Sequence, residues 1–188
     1  MTPRLLILSQ TQFGSHIDPY QYSRYLKDRC EITFVCWDYD FPRVEEPGVI
    51  VMYVSRQGGK LQRLARFIGK CIREIREGKY DLVFVVYFQG SSLLPLLSGR
   101  RRATVLDIRT GYVRGRGLKR WISNRLIYLE SLFYRHVTII SESLRSALGI
   151  PLRKSYILPL GAEYQQAVPR TFEQMHLLYI GTLQHRSI

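Results

Sequence analysis

Ala103-Thr-Val-Leu-Asp-Ile108, then Arg109-Thr-Gly-Tyr-Val-Arg-Gly-Arg-Gly-Leu-Lys-Arg120, then Trp121 to Tyr134, then Val137-Thr-Ile-Ile140: this stretch decides the fold. The first run is short and apolar, as a buried strand requires. The second is a loop of almost one charge sign, in which Gly111, Gly115 and Gly117 relax the backbone. The third has helical periodicity, and the fourth is a second apolar strand ending in Ser141-Glu-Ser143. Strand, basic glycine-rich loop, helix, strand is a βαβ unit, whose two strands run parallel. Ligands of such units bind at the loop on the carboxyl end of the strand. The arginines of this loop point to an anionic ligand.

Working outward, Arg4 to Leu8 is a continuous apolar run of the kind buried on both faces of a parallel sheet. A polar loop, Ser9 to His16, follows and contains Gly14. Asp18 and Pro19 offer an N-cap and a first-turn proline for a helix from about Tyr20 to Arg29. Glu31 to Trp37 and Val49 to Val54 are two further strands. Lys60 to Glu77 is the clearest helix: Leu61, Leu64, Phe67, Ile68, Cys71 and Ile75 share one face. Arginine and lysine fill the remainder, and Gly78 closes the helix. Such a helix packs on a sheet with a solvated basic outer face, which is also compatible with lipid headgroups.

Asp81 to Tyr87 reads as a strand, and Phe88 to Ser92 as a turn into a short helix, Leu93 to Leu97. Ser141 caps a helix to Leu148, and Lys154 to Leu158 is a seventh strand. The alternation gives an α/β class: a Rossmann-like, doubly wound, mostly parallel sheet with helices on both faces. The expected domain spans residues 1–163. Residues 164–175 read as a linker, and 176–188 as the first strand and loop of a second domain that is not present.

The 188 residues are 46% hydrophobic, enough for a real core. No run is long enough to cross a bilayer as a helix, and Leu5 to Leu8 is too short for a signal-peptide core, which points to the cytoplasm. Three cysteines with no C-x-x-C pair argue against disulfides and structural zinc. The net charge of +13 fits nucleic acid, an anionic membrane surface or a phosphorylated substrate. Nucleic-acid-binding motifs are absent, as are a Walker A loop and a G-x-G-x-x-G after the first strand. The membrane surface, at the inner face of the plasma membrane, is the favoured reason for the charge.

Three stretches carry a family resemblance. Val137-Thr-Ile-Ile-Ser-Glu-Ser-Leu-Arg145 resembles an apolar strand followed by S-x-x-L. Ile157-Leu-Pro-Leu-Gly-Ala-Glu163 is similar to an interdomain P-N-G-V-D turn, and Leu177 to Arg186 to a donor-domain opening written Y-x-G-R-L-x-x-x-K. In this order and spacing they resemble the amino-terminal part of a GT-B fold glycosyltransferase of family 4. Leu160, Glu163, Thr182 and Ser187 depart from the residues usual in that family, and its E-x7-E motif is absent.

The resemblance implies hexosyl transfer from a nucleotide-sugar donor to a cell-envelope or lipid-linked glycan acceptor, without metal or other cofactor. It implies that the chain alone is inactive, since most donor contacts would lie in a missing carboxyl-terminal domain. It places Gln12, Gly14, Arg109, Thr110 and Tyr112 on the acceptor side, and Gly181 and Arg186 at the donor phosphates. Arg109 and Arg114 would contact an anionic group of acceptor or donor. No catalytic residue is assigned. His16 is a possible base without a visible partner, and His136 is structural. Asp107 is either a buried, hydrogen-bonded carboxylate or a site residue. The alternatives are a non-catalytic module that binds sugar phosphate or membrane, and a basic nucleic-acid-binding protein.

Overall fold

The computed structural model describes residues 2–112 and 117–161. Among the described residues seven strands are present: β1 (Arg4–Ser9), β2 (Glu31–Asp38), β3 (Val49–Ser55), β4 (Leu82–Val86), β5 (Thr104–Ile108), β6 (His136–Ile139) and β7 (Ser155–Ile157). Five α-helices connect them: α1 (Ile17–Leu26), α2 (Lys60–Glu77), α3 (Leu93–Ser98), α4 (Leu118–Ser131) and α5 (Glu142–Leu148). All strands lie in one sheet, in the order β3-β2-β1-β4-β5-β6-β7, and every neighbouring pair is parallel. The fold is therefore the expected Rossmann-like α/β architecture, with a sheet that is wholly parallel.

Side chains alternate along each strand, so β1 feeds two separate cores. Leu6 and Leu8 point into the larger one, where Phe67 and Ile75 of α2, Leu94 of α3, Ile127 of α4 and Leu148 of α5 also sit. Leu5 and Ile7 point the other way, toward Ile32, Phe34, Phe13 and the Tyr20 and Leu26 side chains of α1. Helices thus cover both faces, α1 on one and α2 to α5 on the other. Phe67 is fully buried between Trp37 and Phe88. Truncating it to alanine costs about 3–5 kcal/mol, because both transfer free energy and packing are lost.

α2 has the bounds its periodicity predicts, with Gly59 as N-cap and Gly78 as C-cap. α1 does not. It starts at Ile17 with His16 as N-cap, so Asp18 lies in the first turn beside Pro19 rather than capping it. Its carboxylate faces Arg109 of the β5 loop instead, at 4.0 Å. α4 begins at Leu118, earlier than the expected Trp121, because Gly117 turns the chain with φ near 56°. It ends at Ser131, and Tyr134 beyond it is held by its hydroxyl donating to the Ser91 carbonyl at 2.6 Å.

Cys36 and Cys71 are buried and Cys30 partly so. Among the described residues no helix is long and apolar enough to cross a membrane, and no group of His, Cys, Asp or Glu could hold a metal ion. The expected linker, 164–175, and the expected strand and loop, 176–188, lie outside the described residues.

Candidate functional site

The sheet order reverses at β1: the chain winds through β2 and β3 to one side, then returns to β4 on the other. Loops leaving the carboxyl ends of β1 and β4 diverge at such a point, and the gap between them is where open parallel sheets take ligands. The loops after β1 (Gln10 to His16), β4 (Tyr87 to Ser92) and β5 (Arg109 to Tyr112) therefore share one edge of the sheet.

Arg109 organises this edge. Its Nε donates to Asp107 Oδ2 at 2.7 Å, and its Nη1 donates to the Leu158 carbonyl at 3.0 Å. The guanidinium lies over the Tyr22 ring at 5.0 Å, and Asp18 stands 4.0 Å away. The side chain is only 10% exposed. One nitrogen, Nη2, is buried without a partner among the described residues. Burial pushes the guanidinium down from its ordinary value while Asp18 pulls it back up. Arg109 is thus a buried strut joining β5, α1 and the turn after β7, with one donor unused.

Asp107, 1% exposed, closes the other side of this group. Its Oδ1 accepts from Thr138 of β6 at 2.6 Å. Burial pushes its carboxyl up to about 7; the Thr138 hydroxyl opposes the rise and Asp18 adds to it. The nearby guanidinium of Arg109 also favours the ionised form. Of the two roles open to Asp107 from sequence, the buried, hydrogen-bonded carboxylate is the one observed.

Gln12 and Gly14 stand at the same edge but face elsewhere. Gln12 is buried, and its amide is committed to the loop after β2: Oε1 accepts from the Tyr39 amide at 2.7 Å and Nε2 donates to the Phe41 carbonyl at 2.9 Å. Gly14 has φ near 85°, and a Cβ there would come within 2.6 Å of Val44. Thr110 is exposed, and its hydroxyl donates to the Gly111 carbonyl at 3.0 Å. The Tyr112 amide donates to Asn124 Oδ1 of α4 at 2.7 Å, leaving its phenol side chain part-exposed. The five expected acceptor-side residues so form two groups, Gln12 with Gly14 and Arg109 with Thr110 and Tyr112. His16 Nδ1 is buried and has no partner among the described residues. Arg114, Gly181 and Arg186 lie outside the described residues.

This arrangement of sheet and edge recurs in solved structures. The chain is similar to HepE of Anabaena, crystallised in complex with UDP and glucose, at 16% identity and a TM-score of 0.62. That likeness covers 86% of this chain and 45% of HepE. UDP-N-acetylglucosamine 2-epimerases of Rickettsia bellii and Methanocaldococcus jannaschii are similar at 12% identity and a TM-score of 0.56. They are matched over 82% and 84% of this chain and over 44% and 45% of their own. The chain has the fold of a GT-B-type domain. It spans less than half the length of these proteins. No protein-family model and no curated protein matches it in sequence.

The GT-B-type domain also contains an anchor that sequence reasoning missed. Glu130 of α4 is buried and accepts from the Gly90 amide at 2.9 Å and the Ser91 hydroxyl at 3.0 Å. Together with the Tyr134 bond to Ser91 it fixes the β4 loop, where Gly90 takes φ near 89°. A carboxylate between Ile127 and Tyr134, on the inward stripe of an otherwise ordinary helix, was the one available signal. Asp18 and Tyr22, the α1 partners of Arg109, left no such mark.

Proposed function

We propose that the chain is the acceptor-side lobe of a family 4-like glycosyltransferase. The whole enzyme, of which this lobe is the amino-terminal part and inactive by itself, transfers a hexosyl group from a nucleotide sugar to a cell-envelope or lipid-linked glycan. The observation that carries this reading is the fold likeness to HepE, whose structure holds UDP and glucose. In this proposal residues 1–163 form the acceptor lobe and 164–175 the linker. Residues 176–188 then open a donor lobe, with Gly181 and Arg186 at the donor phosphates.

Catalysis in such a cleft is positioning plus neutralisation of the leaving diphosphate. The chain contributes a rigid acceptor wall. Glu130 and Tyr134 hold the β4 loop, the Asp107–Arg109 pair holds the β5 loop, and Thr110 presents a polar, exposed face. The Arg109 nitrogen left without a partner among the described residues, Nη2, supports a contact with an anionic oxygen of the acceptor or donor. The protein works in the cytoplasm, at an anionic membrane surface.

The test is binding without turnover. Titrating isotope-labelled chain with glycan fragments shifts the amide signals of Thr110, Gly111 and Tyr112. A chain that ignored every glycan tried, while binding a dinucleotide at the same loops, would be something else. The likeness to two UDP-N-acetylglucosamine 2-epimerases favours a second reading, an epimerase lobe. Incubation of the full-length protein that contains this lobe with UDP-N-acetylglucosamine and no acceptor separates the two, because only an epimerase gives the 2-epimer.

A further inference from the structure

The opposite edge of the sheet, where helices end and strands begin, carries most of what the acceptor wall does not use. Two adjoining clefts of about 580 and 490 Å3 open there. Arg100, Arg101, Arg102 and Arg135 line the first, and Arg101, Arg135, Arg153 and Lys154 the second. No described Asp or Glu lines either.

Some of these cations have internal work. Helix carboxyl ends carry unpaired carbonyls and partial negative charge. Arg101 donates to the Leu132 carbonyl at 2.6 Å, and Lys154 to the Ser131 carbonyl at 2.6 Å, both at the end of α4. Arg100 reaches the Ile75 and Tyr80 carbonyls, each at 3.4 Å. Helix capping therefore explains Arg100, Arg101 and Lys154. It does not explain Arg102, Arg135 and Arg153. All three are exposed, and none bonds to another described residue. The crowding is unfavourable within the chain itself: burial, then the charges of Arg101 and Arg153, push the Lys154 ammonium down to about 8.

The same edge exposes apolar side chains. Leu152 is 69% exposed beside Arg153. Leu132 and Phe133 are exposed between α4 and Arg135, and Leu97 is exposed at the end of α3, just before Arg100. Cations interleaved with exposed leucine and phenylalanine match a bilayer interface, where apolar tips enter the acyl boundary and charges meet headgroup phosphates. A soluble phosphate has no use for the apolar rim.

We propose that this edge, centred on Arg102, Arg135 and Arg153, docks the protein on an anionic phospholipid surface. Strands β4 and β5 are five residues long. At about 3.3 Å per residue the carboxyl-edge crevice then stands roughly 17 Å further from the lipid. The geometry suits an acceptor whose glycan extends away from the headgroups. The docking surface stands whether or not the lobe transfers sugar.

The test is flotation of the purified chain with phosphatidylcholine vesicles and with equimolar phosphatidylcholine–phosphatidylglycerol vesicles. Binding is expected only to the second, and to weaken with salt. The variant R102Q/R135Q/R153Q removes cations without internal partners and keeps the fold, verified by circular dichroism. At about a fivefold effect per cation it loses about a hundredfold in partitioning. The control K60Q/R63Q/K119Q removes the same charge from helix starts at the other edge and stays within about threefold of the parent. Equal losses in both variants overturn the proposal, since net charge alone then governs binding. So does equal binding to neutral and anionic vesicles. A chain that ignores vesicles but binds inorganic phosphate or duplex DNA through the same three arginines overturns it as well.

Discussion

Replacing Arg109 by leucine, which keeps the bulk and removes the charge, asks whether the buried pair behaves as the structure implies. The substitution deletes the bonds to Asp107 Oδ2 and the Leu158 carbonyl and the contact over Tyr22. Two lost hydrogen bonds amount to about 1–3 kcal/mol. Stranding a charged carboxylate in the interior costs more, about 3–5 kcal/mol. Which figure applies depends on pH. Burial already raises the Asp107 carboxyl from 3.8 to about 7. An acid raised on folding contributes stability that is present below its unfolded value and lost as pH rises through its folded value. Without Arg109 the carboxyl rises further, so at about pH 5 it stays protonated and the variant loses only the hydrogen bonds. At about pH 8 the stranded charge adds its penalty, and the total approaches 5 kcal/mol, roughly. Urea unfolding followed by circular dichroism at both pH values measures the difference. The double variant D107N/R109L removes the pH dependence and recovers part of the loss. A single variant equally destabilised at both pH values, or strictly additive single and double variants, would refute the account of a coupled buried pair.

Three further outcomes follow from the same structure. Glu130→Ala leaves the Gly90 amide and Ser91 hydroxyl without their acceptor, destabilising by about 2–4 kcal/mol. Hydrogen exchange at those two residues then accelerates, whereas an unchanged rate means the loop is held by something else. Gly14→Ala places a Cβ within 2.6 Å of Val44 at φ near 85°, so melting falls by several degrees, on the order of 1–2 kcal/mol. Lys154, pushed down to about 8, titrates below the ordinary lysine value of 10.5. Its dimethylated NMR signal moves through its midpoint in that lower range. An ordinary midpoint there contradicts the burial and crowding described for the amino edge.

The elements were legible in sequence where periodicity was strong. α2 runs from Lys60 to Glu77 because an apolar stripe at helical spacing ends at a glycine, and both signals are local. The boundary errors at α1 and α4 came from side chains and turns whose partners are distant in sequence. Asp18 faces Arg109 rather than capping its own helix, and Tyr134 answers to Ser91 across the β4 loop. The edge that carries the βα loops was legible too, since such loops sit at strand carboxyl ends in any parallel sheet. The orientation of its side chains was not. Gln12, which the resemblance puts on the acceptor side, has its amide committed to Tyr39 and Phe41.

Sequence by itself determined the alternation of strand and helix, the parallel class of sheet and the strongly basic charge of the chain. Those follow from patterns read within a few turns of chain and from summed charge. Tertiary structure alone decided the strand order, and with it the place where the loops part. It also sorted one crowd of arginines into a buried strut at Arg109, helix caps at Arg100 and Arg101, and uncommitted surface charge at Arg102, Arg135 and Arg153. The physical reason is that a cation's role depends on its dielectric surroundings and on which oxygens reach it. Both are set by contacts between segments far apart in the chain.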